Sequence, residues 1–281
     1  MSAAPAPAPR SRFAAVVAQQ ESEVDLALAA LLIAAEEYPQ LVPEPYLRRI
    51  DILAERVRDR LGEETAPLVI LQELNRVLFE EEGFRGNAEA YYDPRNSFLN
   101  DVLDRRAGVP LTLSLLYLEI GWRLGLPLHG VNFPGHFLVR YDGEALKLLI
   151  DPFQRGEIRF EDEAQELLDR VYGGTVTLQP SYLRPADRKD ILVRLLSNLK
   201  GIYLNTRDDR RALAATERIL LVRPDAAEEV RDRGMLLARL GFADDAVQEL
   251  RDYLARAPGA DDAERVRLLI RELGGSDSEQ I

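Results

Sequence analysis

The sequence predicts an α+β domain followed by an all-α repeat region, and three observations lead there. Apolar residues recur at helical spacing through most of the first 124 residues. The period changes to two across residues 135–151. Beyond residue 190 the chain is again helical and repeats itself, Pro258 standing 34 residues after Pro224.

The elements follow in order. Val24, Leu28, Leu31, Leu32 and Ala35 share one face, which predicts an amphipathic helix over residues 22–37, ended by Tyr38-Pro39. A second helix is expected over 45–61, with Leu47, Ile50, Leu53 and Val57 inward and Gly62 as its stop. A third covers 66–82, with Leu71, Leu74, Leu78 and Phe79 inward. Residues 83–97 hold Gly, Asn, Asp and Pro and read as a loop, one that carries Phe84, Tyr91 and Tyr92. A short helix is expected at 97–106. Gly108 closes it and Pro110 opens the next, as the asymmetry of helix ends favours. The helix at 110–124 is apolar on most sides, so it is buried.

Residues 135–141 and 144–151 read as strands joined by Asp142-Gly143, the signal of a two-residue type I′ hairpin. In that register Tyr141 faces Glu144, Val139 faces Leu146 and His136 faces Leu149. Asp151 shares a face with Leu149, so it becomes the diagonal neighbour of His136, roughly 7–8 Å away. A charged stretch at 157–170 precedes a third expected strand at 175–179, and residues 180–185 read as a connector. In the repeat region Ala212-Leu213 recurs as Ala246-Val247 and Leu220 as Leu254. The copies are degenerate, and a plain helical bundle is the alternative.

Composition narrows the function. The 281 residues suggest about two domains, and 46% hydrophobic content is enough for two cores. Thirty-six Lys and Arg against 48 Asp and Glu give a net charge of -12, which argues against nucleic acid as the main partner. There is no cysteine, so disulfides, iron–sulfur clusters and thiolate zinc sites are excluded. The two histidines, His129 and His136, cannot build a multi-histidine metal site without carboxylate help, a metal on His136, Asp151 and a further carboxylate has little support, and no motif calls for a cofactor. Residues 1–21 open with an Ala-Pro run and are expected to be a disordered lead. The apolar stretch at 26–35 is too short to span a bilayer. A cytoplasmic protein without membrane attachment is expected. Residues 275–281 are expected to be a short tail.

The chemistry gathers in Asn132-Phe133-Pro134-Gly135-His136-Phe137 and Asp151-Pro152-Phe153. A buried helix leading into a His and then an Asp is the layout of a Cys-His-Asp enzyme, in which a thiolate at the helix start is deprotonated by the His and the Asp orients that His. At this level residues 108–151 resemble the transglutaminase-like (papain-like) fold. The helix opens Gly108-Val109-Pro110 and ends Leu124-Gly125-Leu126-Pro127, with His136 and Asp151-Pro152 on the family's His and Asp-Pro. Pro110 stands where the family has its cysteine.

Over residues 22–270 the chain is similar to the SirB1-type proteins, a transglutaminase-like domain followed by tetratricopeptide repeats. The likeness rests on Phe79-Glu80-Glu81-Glu82-Gly83-Phe84-Arg85-Gly86-Asn87, on Tyr92-Asp93-Pro94-Arg95-Asn96-Ser97-Phe98-Leu99-Asn100, on residues 108–117 and on residues 132–137. Leu240-Gly241-Phe242-Ala243-Asp244-Asp245-Ala246, with Pro258 after the next helix, resembles a tetratricopeptide repeat. The resemblance implies a bacterial cytoplasmic protein of a group that lacks the cysteine. The expected domains are 22–180, transglutaminase-like with a small antiparallel sheet packed on helices, and 188–274, the repeats.

The candidate catalytic residues are His136, Asp151 and, as a substitute nucleophile, Thr112, with Ser114 the next nearest hydroxyl. Thr112 sits roughly half a helical turn past residue 110 and projects differently, so it is a poor replacement. A structural His136 held by Asp151 is the plainer reading, as is an Asp151 that caps the turn after it. Asn132, Arg140, Asn96, Asn100 and Tyr92 are the candidate binding residues. Asn96 also has the option of capping the helix at 97. The expected function is capture of a protein or peptide by a domain that is not an enzyme. The alternatives are a hydrolase or acyltransferase using His136 and Asp151 with a hydroxyl or water, and an adaptor working through the repeats alone.

Overall fold

The computed structural model describes residues 8–144 and 146–274. The chain divides into two compact units, Met1–Leu195 and Leu196–Ile281.

The first unit starts with α1 (Pro9–Val17), where a disordered lead was expected. Pro9 presets the first helical turn, and Phe13 and Val17 are buried. Arg10 pairs with Glu36 of α2 (Leu26–Glu37) at 3.0 Å. The Ala-Pro residues 1–7 lie outside the described residues. Because α1 covers it, α2 is not amphipathic. Leu26, Ala27 and all of 29–35 are buried. Asp25 caps its start by accepting from the Leu28 N–H.

Next come α3 (Pro43–Leu61), ended by Gly62 at φ +56°, and α4 (Pro67–Asn75), which continues as a π-helical turn over Arg76–Glu81. The predicted 83–97 loop contains β1 (Arg85–Gly86). α5 (Leu99–Arg105) leads to β2 (Ala107–Gly108), which pairs parallel to β1. α6 (Pro110–Arg123) is buried from Pro110 to Gly121, as its composition requires.

α6 and α2 are locked together by a charge. Glu119 accepts from the Ala27 N–H at 3.0 Å, at the start of α2, and from Arg123. Burial raises the Glu119 pKa above the ordinary carboxylate value, against the pull of Arg123 and the Ala27 N–H.

The sheet comprises β3 (Leu128–Val131), β4 (Leu138–Asp142), β5 (Lys147–Asp151), β6 (Glu157–Phe160) and β7 (Pro185–Ala186), in the order β6-β5-β4-β3-β7 and antiparallel throughout. Two expectations are corrected. The third strand is β6, inside the charged stretch, and residues 175–179 form none. Glu157 and Arg159 alternate with Ile158, so period two survives in charged residues on an edge strand. The hairpin also differs, since Asp142 pairs with Lys147 and Val139 with Ile150. The hairpin therefore closes beyond the Asp142–Lys147 pair, and Gly143 lacks the positive φ that a type I′ turn demands. α7 (Ala164–Tyr172) covers one face of the sheet, burying Leu167 and Leu168 with Val131, Leu138 and Leu149.

α8 (Arg188–Asn205) carries the chain into the second unit, followed by α9 (Asp209–Val222), α10 (Ala227–Arg239), α11 (Ala243–Arg256) and α12 (Ala263–Glu272). The 34-residue interval reappears here. Adding 34 to 209 and 222 gives 243 and 256, the bounds of α11. The same step carries Arg207 (φ +59°) to Gly241 (φ +85°), the left-handed turn between helices of a pair. Leu220, Val230, Val247, Leu250, Tyr253, Val266 and Ile270 form the core of this unit. Among the described residues no helix is long and apolar enough to cross a membrane.

Candidate functional site

His136 is not in a strand but in the turn that leads into β4. Pro134 and Gly135 (φ +69°) occupy the central positions, and the His136 N–H donates to Phe133 O at 3.0 Å, the pattern of a type II turn. Glycine is needed there for its positive φ and because α7 stands close. Ser114 of α6 donates to Phe137 O at 3.3 Å, which ties the residue after His136 to the buried helix.

Asp151 ends β5. The observed register differs by four residues from the predicted one, yet it restores the diagonal relation. Continuing it sets Leu138 opposite Asp151, so His136 lies two residues away along the strand. The His136 Nε2 and the Asp151 Oδ2 are 2.8 Å apart. Asp151 Oδ1 meanwhile accepts from the N–H groups of Phe153 (3.0 Å) and Gln154 (3.2 Å), capping the 3-10 turn over Pro152–Gln154. One carboxylate thus does both jobs weighed for it. Its side chain is only 7% exposed, while that of His136 is 17% exposed. With Nε2 facing the carboxylate, Nδ1 forms no hydrogen bond among the described residues.

Pro110 occupies the first position of α6 and is buried. The hydroxyl of Thr112 donates to Asn96 O at 2.7 Å and accepts from the Val109 N–H at 3.2 Å. It closes the helix start and does not join His136 in any hydrogen bond. Gly108 belongs to the same arrangement, because a Cβ there would stand 2.7 Å from Thr112 Oγ1.

The other candidates scatter. Asn96 is fully buried, and it does not cap the helix at 97. It binds the preceding loop instead, donating to Ala90 O at 2.7 Å and accepting from Asn87 Nδ2 at 3.0 Å. Asn100 is buried on α5, its Oδ1 without a hydrogen bond among the described residues. Arg140 reaches away along the sheet to Leu183 O (3.0 Å) and Asp142 (2.8 Å). Asn132 is exposed. Tyr92 is 73% exposed and meets Tyr91 edge-on.

Phe153, Val171 and Tyr172 adjoin the site without having been singled out. Phe153 packs edge-on to His136, ring centres 6.0 Å apart. Gly86 makes room for it, since a Cβ there would stand 2.6 Å from the ring. The only local signal was its place two residues after Asp151. No group of three His, Asp or Glu side chains that could hold a metal occurs among the described residues.

An imidazole clamped by a carboxylate beside a buried helix, in an α+β unit, defines a class. Residues 44–197 match the transglutaminase-like superfamily, and residues 199–271 match the tetratricopeptide repeat. A UPF0162 protein of Xylella fastidiosa is 38% identical over 250 residues, 88% of this chain and 89% of its own. One of Vibrio cholerae is 34% identical over 70% of this chain and 73% of its own. F-box only protein 21 of Homo sapiens is 36% identical over 141 residues, 47% of this chain but 22% of its own. No solved structure matches. The chain belongs to the transglutaminase-like superfamily, within the UPF0162 proteins.

Proposed function

We propose that the chain is a bacterial cytoplasmic protein of the SirB1 type that captures a protein or peptide. In this reading a catalytically silent transglutaminase-like domain over 22–180 works with helical repeats over 188–274. The observation that supports it most is the state of the hydroxyls around an intact His–Asp pair. Cysteine is absent, Pro110 has no nucleophile, and the buried hydroxyls of Thr112 and Ser114 are both spent on backbone oxygens. An acyl-transfer enzyme needs an oxygen or sulfur within about 3 Å of its base. The bacterial UPF0162 relatives support the bacterial assignment.

One observation favours a second reading. Among the described residues Nδ1 of His136 has no hydrogen bond while Asp151 holds the opposite nitrogen, the arrangement of a general base that activates water.

A quantitative pull-down from a bacterial cytosol, comparing wild type with His136→Ala and recording the intact mass of each partner, separates the two. Binding predicts that both capture the same partner at unchanged mass. A mass change made by wild type and lost in His136→Ala would establish the enzyme. The repeats acting alone would be indicated if removing residues 188–281 abolished capture that His136→Ala leaves intact.

A further inference from the structure

Contiguous large apolar side chains left exposed on a folded chain mark interaction sites. Tyr91, Tyr92, Val171 and Tyr172 are all exposed, and they come from two segments far apart in sequence. The site joins them. Tyr92 meets Tyr91 at 5.3 Å, Tyr91 meets Phe153 at 6.4 Å, and Phe153 meets His136 at 6.0 Å, each pair close to perpendicular. At the residue before His136, a Cβ on Gly135 would stand 2.9 Å from Val171 and 3.2 Å from the Tyr172 hydroxyl. Tyr91 and Tyr92 thus reach the imidazole through Phe153, and Val171 and Tyr172 reach its neighbourhood through Gly135, and together they make an aromatic strip.

Its chemistry points to a cation. Aromatic faces carry negative potential and attract ammonium and guanidinium groups. Glu89, two residues before Tyr91, is exposed and forms no ion pair among the described residues. Asp169, one helical turn before Tyr172, is exposed, and among the described residues its carboxylate accepts only from Gln165. Asp151 adds a third carboxylate beneath His136. Against these, Arg170 is drawn to Glu157 at 3.6 Å, and partial burial raises the Tyr91 pKa while the charge of Arg194 offsets part of that rise. The chain as a whole carries a net charge of -12.

We infer that this strip docks a basic segment of a partner protein. The aliphatic stems of lysine or arginine lie along Tyr91, Tyr92 and Tyr172, and their charged heads meet Glu89 and Asp169. The inference rests on the binding reading above and gives it a place and a ligand chemistry.

The test uses the full chain and three dye-labelled peptides of one apolar frame, carrying lysine, glutamine or glutamate at the same positions, read by fluorescence anisotropy. The lysine peptide is expected to bind about tenfold more tightly than the glutamine peptide. Tyr92→Ala combined with Tyr172→Ala removes that advantage, whereas Leu268→Ala, an exposed apolar residue of the second unit, preserves it. Glu89→Lys combined with Asp169→Lys shifts the preference toward the glutamate peptide. Equal binding of lysine and glutamine peptides, a preference for glutamate in wild type, or an unaffected tyrosine double variant each overturns the inference. If any of these occurs while the pull-down still recovers an unmodified partner, the strip is refuted and the binding reading stands. A partner modified by wild type refutes the binding reading and leaves the lysine preference to be judged on the peptides.

Discussion

The two units reach order by different routes. In the second unit α9 and α11 are copies 34 residues apart, and they share even the left-handed residue before each. Its core joins helices that follow one another in the chain. In the first unit, α2 and α6 are buried nearly all round and meet through Glu119 and Ala27, 92 residues apart. Asn75 and Gly156 are joined over 81 residues, with Nδ2 donating to the carbonyl at 2.7 Å. A repeat stack tolerates local change because each layer depends on its neighbours. The first unit's core joins elements far apart in the chain, and the pairing of β4 with β5 holds His136 and Asp151 in register.

Variants can break or sharpen this contrast. The largest effect is expected from Phe13→Ala in α1, about 3–5 kcal/mol from a fully buried ring. Trp122, the chain's single tryptophan, lies in the first unit and reports on it alone. Urea unfolding followed by its fluorescence should shift strongly, while hydrogen exchange in α10 and α11 stays as in wild type. A loss below about 1 kcal/mol would show that α1 is no part of the core.

Gly234→Ala is the converse. A Cβ there would stand 2.8 Å from Leu250 Cγ, which overpacks α10 against α11 by about 1–3 kcal/mol. Exchange in the second unit should accelerate with the Trp122 transition unmoved. A matching shift in both units would mean that they unfold together.

Thr112→Val, next in size, leaves the Val109 N–H without its hydroxyl partner and should destabilise the first unit by about 1–2 kcal/mol. Thr112→Ser should recover most of it. Recovery of stability together with a full loss of any measured turnover in Thr112→Val alone would reopen the nucleophile question.

The smallest effect concerns pH. Burial raises Glu119 above the ordinary carboxylate pKa, so the folded state holds its proton where the unfolded state has lost it. Its contribution is complete below the ordinary value and is lost as pH rises from there through the raised folded value. The Trp122 transition of wild type minus that of Glu119→Gln should fall with rising pH across that window. A difference that is flat, or that rises, contradicts the burial argument.

Much of this was legible in the residues. Pro110 and Gly108 mark the start of α6, its unbroken apolar run marks its burial, and the spacing of Pro224 and Pro258 marks the repeat. Period two across 135–151 was enough to bring an imidazole and a carboxylate together, even though the hairpin is wider than Asp-Gly implied. The diagonal relation survived because the register moved by an even number of residues, which keeps side chains on their face. The surroundings of Asn96, Asn100 and Arg140 were not legible in the chain, because nothing local tells a buried loop tie from a side chain that faces a ligand.

By itself, then, the sequence determined the elements whose signals are local: helix starts and stops, strand alternation, the repeat interval, and the absence of a thiol. Tertiary structure alone decided that residues 9–17 pack as a helix, because it is the folded unit that buries Phe13 and Val17. It decided that Thr112 is a cap, since Asn96 O reaches it from another segment. It also decided that Phe153 packs on His136, Tyr91 on Phe153 and Tyr172 beside Gly135, for contacts between distant segments are set by how the whole core packs and leave no period in the chain.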